Sequence, residues 1–96
     1  MAKLISIEET DDSSDKRFIA TFMHSGKLKH VKFGLKGGST YIDHHNKKLR
    51  DAYIARHSVL EDFTDYMSPG ALSRYILWER TNMKNAIKDY KKRFKL

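Results

Sequence analysis

Residues 29–42 read Lys29-His30-Val31-Lys32-Phe33-Gly34-Leu35-Lys36-Gly37-Gly38-Ser39-Thr40-Tyr41-Ile42, and the hydrophobic period changes within them. Up to Leu35 the pattern alternates, with Val31, Phe33 and Leu35 set against His30, Lys32 and Gly34, as a half-buried strand requires. Gly34, Gly37 and Gly38 then punctuate the chain, Ser39 or Thr40 supplies a helix cap, and the spacing becomes helical. The expectation is an α+β fold, with residues 1–36 forming a β-meander and residues 39–96 the helical part of the same single domain.

Toward the start of the chain, Arg17 to His24 sets Phe18, Ala20 and Phe22 against Arg17, Ile19 and Thr21. Lys3 to Glu8 places Ile5 and Ile7 on one face. A polar loop at Thr10–Asp15 and a short turn, His24-Ser25-Gly26-Lys27, join these runs into three antiparallel strands. Toward the end, Ile42, Leu49, Tyr53 and Leu60 recur at helical spacing, which predicts a helix from Tyr41 to about Val59. Ser68-Pro69 is a strong helix start, and the helix it opens is predicted to run to about Glu79. Leu72, Tyr75, Ile76, Leu77 and Trp78 cover nearly every side of it, so it is expected to be the most buried element. Thr81 is the predicted cap of a last helix that carries Met83, Ile87, Tyr90 and Phe94 in one stripe. The expected architecture is a three-stranded meander followed by three α-helices packed on the sheet.

Composition narrows the function classes. A chain of 96 residues, 40% hydrophobic with a single proline, fits one domain with a modest core and is not a disordered tail. The absence of cysteine excludes disulfides, thiolate catalysis and the usual structural zinc sites. No apolar run approaches the roughly 20 residues of a membrane span, and acids stand where a signal peptide needs its apolar stretch. An intracellular protein, not secreted, is expected. The net charge is +7, and it is uneven. Residues 1–36 carry 7 basic and 5 acidic side chains, whereas residues 37–96 carry 12 and 7. A polyanionic partner suits that imbalance: DNA or RNA, an anionic membrane surface, or an acidic protein.

The sharpest feature is on the last helix. Lys84, Lys88, Lys91 and Lys95, with Lys92 beside them, form a stripe about 100° from the apolar one at helical spacing. Ammonium groups so spaced meet successive phosphates with little reading of sequence. Lys47, Lys48 and Arg50 add a second basic cluster. Phe18, Phe22, Phe33 and Tyr41 could in principle stack bases, but aromatic residues at period two are the usual content of a core, and the RNA-recognition motif spacing is absent. The five histidines lack the spacing of a metal site, and no cofactor is predicted. Asp43 with His44, and Arg56 and His57 with Glu61 and Asp62, have acid-base potential, and the second set would have to converge in an open pocket. Their expected role is structural, tying the first helix to the loop before Ser68, with Trp78 as a further structural residue.

Several blocks together carry a family resemblance: Phe33-Gly34-Leu35-Lys36-Gly37, Tyr53-Ile54-Ala55-Arg56-His57 with Glu61-Asp62-Phe63, Ser68 to Trp78, and Ile87 to Phe94. Over about residues 31–96 the chain resembles a family of small basic proteins of unknown function encoded by nucleocytoplasmic large DNA viruses, the giant viruses. The resemblance implies a viral origin, a location in the host cytoplasm, nucleus or virion, and a variable first third, and it implies no mechanism. Phe63 and Tyr75 stand where relatives often have Trp. The function expected from the residues is non-enzymatic binding of nucleic acid through the cationic helical surface. The alternative is a protein-interaction or virion structural module that uses its basic face on an acidic partner.

Overall fold

The computed structural model describes residues 2–11, 13–59, 61 and 63–96. Strands β1 (Ala2–Glu9), β2 (Lys16–His24) and β3 (Lys27–Leu35) form one antiparallel sheet in the order β1-β2-β3. Helices α1 (Tyr41–His44), α2 (Lys47–Ser58), α3 (Pro69–Leu72) and α4 (Met83–Phe94) follow, and α3 runs directly into a π-helical turn, Ser73–Leu77. The expected meander followed by helices is what the chain forms.

The sheet confirms the period-two reading of β2, since Phe18, Ala20 and Phe22 are all buried. They pair across to Phe33, Val31 and Lys29 of β3, and the Phe18 and Phe33 rings lie 5.8 Å apart. Two residues suffice for the β2–β3 turn because Ser25 and Gly26 both take positive φ, 53° and 77°, matching the twist of the strands. On β1 the expected face is corrected. Ala2 and Leu4 are buried and Ile5 is 53% exposed. Leu4 pairs with Phe22 and Ser6 with Thr21, so Ile5 is the extra residue of a β-bulge. The bulge resets the alternation and lets Leu4 and Ile7 face the same core.

Beyond the sheet, Thr40 starts α1, and its backbone N–H and hydroxyl both donate to Asp43, at 2.8 and 2.9 Å. The single helix predicted over 41–59 is two helices. His45 adopts a left-handed conformation, φ 55°, that stops α1. Asn46 then caps α2, its side chain accepting from the amides of Lys48 and Leu49. The apolar stripe expected along this stretch does not form: α2 buries no residue, Leu49 is 51% exposed, and Leu60 lies outside the described residues. Ser68 caps α3 as expected, accepting from Ala71 N–H at 3.1 Å. The segment after it is the most buried of the helical part, with Ala71, Leu72, Ile76 and Leu77 at 0% exposure. Asn82, one residue past the predicted Thr81, caps α4 by accepting from Asn85 N–H.

The core therefore sits between one sheet face (Leu4, Phe18, Phe22, Phe33), the π turn (Ile76, Leu77) and α4 (Tyr90). Burying such side chains contributes about 1.5–3 kcal/mol each.

Candidate nucleic-acid interface

The rotation of α4 about its own axis decides which cations reach solvent. Ala86 and Tyr90 are buried, and Met83, Ile87 and Phe94 pack on the core beside them. The Tyr90 hydroxyl donates to the Tyr66 carbonyl, and its ring meets Phe94 at 4.8 Å. Burial pushes that phenol well above its ordinary range. With this face fixed inward, Lys84, Lys88, Lys91, Lys92 and Lys95 are all exposed on the other side.

None of these ammonium groups lies in an ion pair among the described residues, and arginine or histidine holds five of the carboxylates. Arg17 grips Asp43 with two bonds of 2.7 Å, and that hydrogen bonding holds Asp43 far below the usual carboxylate range. Glu79 is shared by Arg74 and Arg50. Burial pushes Glu79 upward, but the two guanidiniums outweigh it and keep its pKa below the ordinary value. Arg80 Nε donates to Asp89 at 2.6 Å, and His57 Nδ1 donates to Glu61 at 2.9 Å. Arg93 lies over the Tyr75 ring, 4.2 Å from its centroid. Among the described residues every ion pair is made by arginine or histidine, and none by lysine. The planar guanidinium suits bidentate pairing, whereas the strongly hydrated ammonium stays in water.

Position along the helices separates folding roles from the rest. Lys91, Lys92 and Arg93 occupy the last turn of α4, where cations complement the helix dipole. Lys84 sits in the first turn of α4, and Lys47 and Lys48 open α2; neither first turn contains an acid. A cation at that end opposes the dipole, by an amount comparable to the roughly 0.3–1 kcal/mol that an acid would contribute there. Those three lysines therefore contribute nothing favourable to the starts of their helices.

Not every expected site residue reaches the surface. Arg50 is drawn inward: its guanidinium lies 5.5 Å from the Tyr41 ring centroid, its Nε donates to the Trp78 carbonyl at 3.0 Å, and Nη2 reaches Glu79 at 3.4 Å. It fastens α2 to the chain after the π turn, which corrects its expected place in the cationic surface. Lys3, Lys27, Lys29 and Lys32 on the sheet are exposed as well. Outward alternation was the available signal for Lys3 and Lys32, whereas Lys27 and Lys29 share the parity of Val31 and Phe33 and are exposed at the turn end of β3.

The structural set divides. His57 and Glu61 pair with each other, whereas Arg56 is exposed and has no bonding partner among the described residues; Asp62 lies outside them. Trp78 stacks on Tyr53 at 4.3 Å with the rings 6° from parallel, and His57 stacks on the far side of Tyr53 at 4.1 Å. Burial, reinforced by the charge of Glu61, pushes the Tyr53 phenol up to about 12. Among the described residues no three or more His, Asp or Glu side chains cluster to hold a metal ion, and no helix is long and apolar enough to cross a membrane.

Residues 10–57 match the model of a family described as "Family of unknown function (DUF5754)". The matched stretch takes in β2, β3, α1 and nearly all of α2, and it overlaps the resembling blocks over residues 31–57. No curated protein and no solved structure matches the chain.

Proposed function

The chain belongs to the DUF5754 family of unknown function, so its role has to be read from its own surface, and from that surface we propose a non-enzymatic nucleic-acid-binding protein. Lys84, Lys88, Lys91, Lys92 and Lys95 bind the phosphate backbone of DNA or RNA, and Lys47 and Lys48 extend the contact. The observation that carries this reading is that lysine enters no ion pair among the described residues while the arginines take up the carboxylates. A row of uncompensated ammonium groups is a counterion-release surface, which binds phosphate with little sequence preference. Resemblance to small basic proteins of large DNA viruses supplies the setting, a viral protein acting in the infected cell or the virion.

Fluorescence anisotropy with labelled duplex and single-stranded oligonucleotides across a salt series tests the proposal. Affinity is expected to fall steeply with salt and to differ little between sequences. Affinity that ignores ionic strength removes the proposal. One observation favours the alternative, a protein-interaction module: Ile5 and Leu28 stand 53% and 55% exposed on the sheet. A single stoichiometric protein partner, retained through high salt without nucleic acid, is the result that would select it.

A further inference from the structure

A cavity of about 400 Å³ lies where β3 and the loop after it meet α2, the start of α3 and the π turn. That volume is within the range of small-molecule sites. It brings together three of the four residues whose convergence an active pocket would require, Arg56, His57 and Glu61, with Lys16 on the sheet side and Ser73 from the π turn.

Three features make this a built site rather than a packing defect. First, Ser73 and Leu77, the two ends of the π turn, both line it. A π turn is a rare departure from α-helical geometry that recurs at functional sites. Second, its wall is the ring stack Trp78–Tyr53–His57. Third, Gly70 lies against the Glu61 carboxylate so closely that a Cβ there would stand 2.8 Å from Oε1. The absence of a side chain at position 70 lets Glu61 turn to His57 and keep its charge engaged.

The ligand class follows from charge and shape. Lys16 and Arg56 are cations without an ion-pair partner among the described residues, and the one acid in the lining is already held by His57. The pocket therefore has an excess of positive charge. Both faces of Tyr53 are occupied by neighbouring rings, and Trp78 also meets His44 at 5.4 Å, so the central ring of the stack cannot take a nucleobase. Two cations with the Ser39 hydroxyl suit a tetrahedral oxyanion of about −1.5 to −2 charge better than a planar carboxylate. We propose that this cavity binds a phosphate monoester, its phosphate held by Arg56 and Lys16 and its carbon body against Leu35. The monoester comes from one of two sources, a free sugar phosphate or the terminal phosphate of a nucleic-acid strand. The proposal stands apart from the lysine surface of α4.

Trp78 is the one tryptophan in the chain and lines the cavity, so its emission reports occupancy directly. Titration with ribose 5-phosphate and with inorganic phosphate is expected to give a saturable change at millimolar concentration or below, and ribose none. Arg56→Gln, an exposed position whose folding circular dichroism checks, is expected to weaken binding about tenfold or more, the equivalent of one charge-assisted hydrogen bond. Lys88→Gln/Lys91→Gln is expected to leave it unchanged. A 5′-phosphorylated oligonucleotide that outbinds its 5′-hydroxyl twin, with the difference lost in Arg56→Gln, assigns the strand end; twins that bind alike assign the free sugar phosphate. The proposal is overturned if no phosphate compound changes Trp78 emission saturably, or if Arg56→Gln binds as tightly as the parent.

Discussion

Changing Lys88 and Lys91 together to glutamine removes two of the five exposed ammonium groups on α4 and leaves its buried face, Ala86 and Tyr90, intact. The size of the effect follows from counterion release, which gives a slope of log K against log salt of about −0.9 per phosphate neutralised on duplex DNA. The five lysines of the α4 surface, counted without Lys47 and Lys48, give a slope of about −4.5, so raising salt from 50 to 200 mM weakens their part of the binding roughly 500-fold. The double variant is expected at about −2.7, a loss of roughly 40-fold over the same interval. Anisotropy titrations at four or more salt concentrations measure both slopes, and thermal melting checks that the fold is kept. Equal slopes for parent and variant would refute the reasoning, because they would place the bound phosphates elsewhere.

Glu79→Gln strips the shared partner from Arg50 and Arg74, whose side chains are only 21% and 14% exposed. A loss of about 1–3 kcal/mol in urea denaturation is expected, and an unmoved midpoint would show the node to be idle. Gly34 and Gly37 have φ of 78° and 86°, but only at Gly34 would a Cβ meet neighbours, Leu77 Cδ1 at 3.0 Å and Arg17 Cβ at 3.3 Å. Gly37→Ala is expected to cost about 1–2 kcal/mol from backbone strain alone, and Gly34→Ala more; each 1 kcal/mol is about 4–8 °C of melting temperature in a domain this size, and equal losses would contradict the packing described. Asp43 and Glu79 both titrate below their ordinary values, so near pH 4 the folded state binds fewer protons than the unfolded one. Their contribution is therefore present above about pH 5 and lost as pH falls through the carboxylate range, and Asp43→Asn should flatten that part of a stability–pH curve.

Where neighbouring residues settle the structure, the sequence was readable. Strand β2 alternates cleanly, Ser68-Pro69 starts a helix, and the lysine stripe of α4 follows from helical spacing against a fixed apolar seam. Errors arose where one residue shifts a period. The bulge at Ile5 turns that residue out and puts Leu4 in its place beside Ile7, and the left-handed His45 divides a helix that periodicity alone would run through. Asn46 was the visible sign of that second start. The π turn left no signature, because a segment that is apolar on every side looks the same at either helical pitch. Arg50 was misplaced because its partner Glu79 lies 29 residues on, a pairing that only the fold creates. The cavity beside Arg56 likewise draws on four separate stretches of chain.

Because α2 buries none of its residues, its attachment is a short set of side-chain ties to Trp78, Glu79 and Ser73. Local opening should release it well before the central strand, so amide exchange is expected to be fast through residues 47–58 and slowest in β2. Occupation of the neighbouring cavity would then register as slowed exchange along α2, a helix that is ordered in proportion to what it holds.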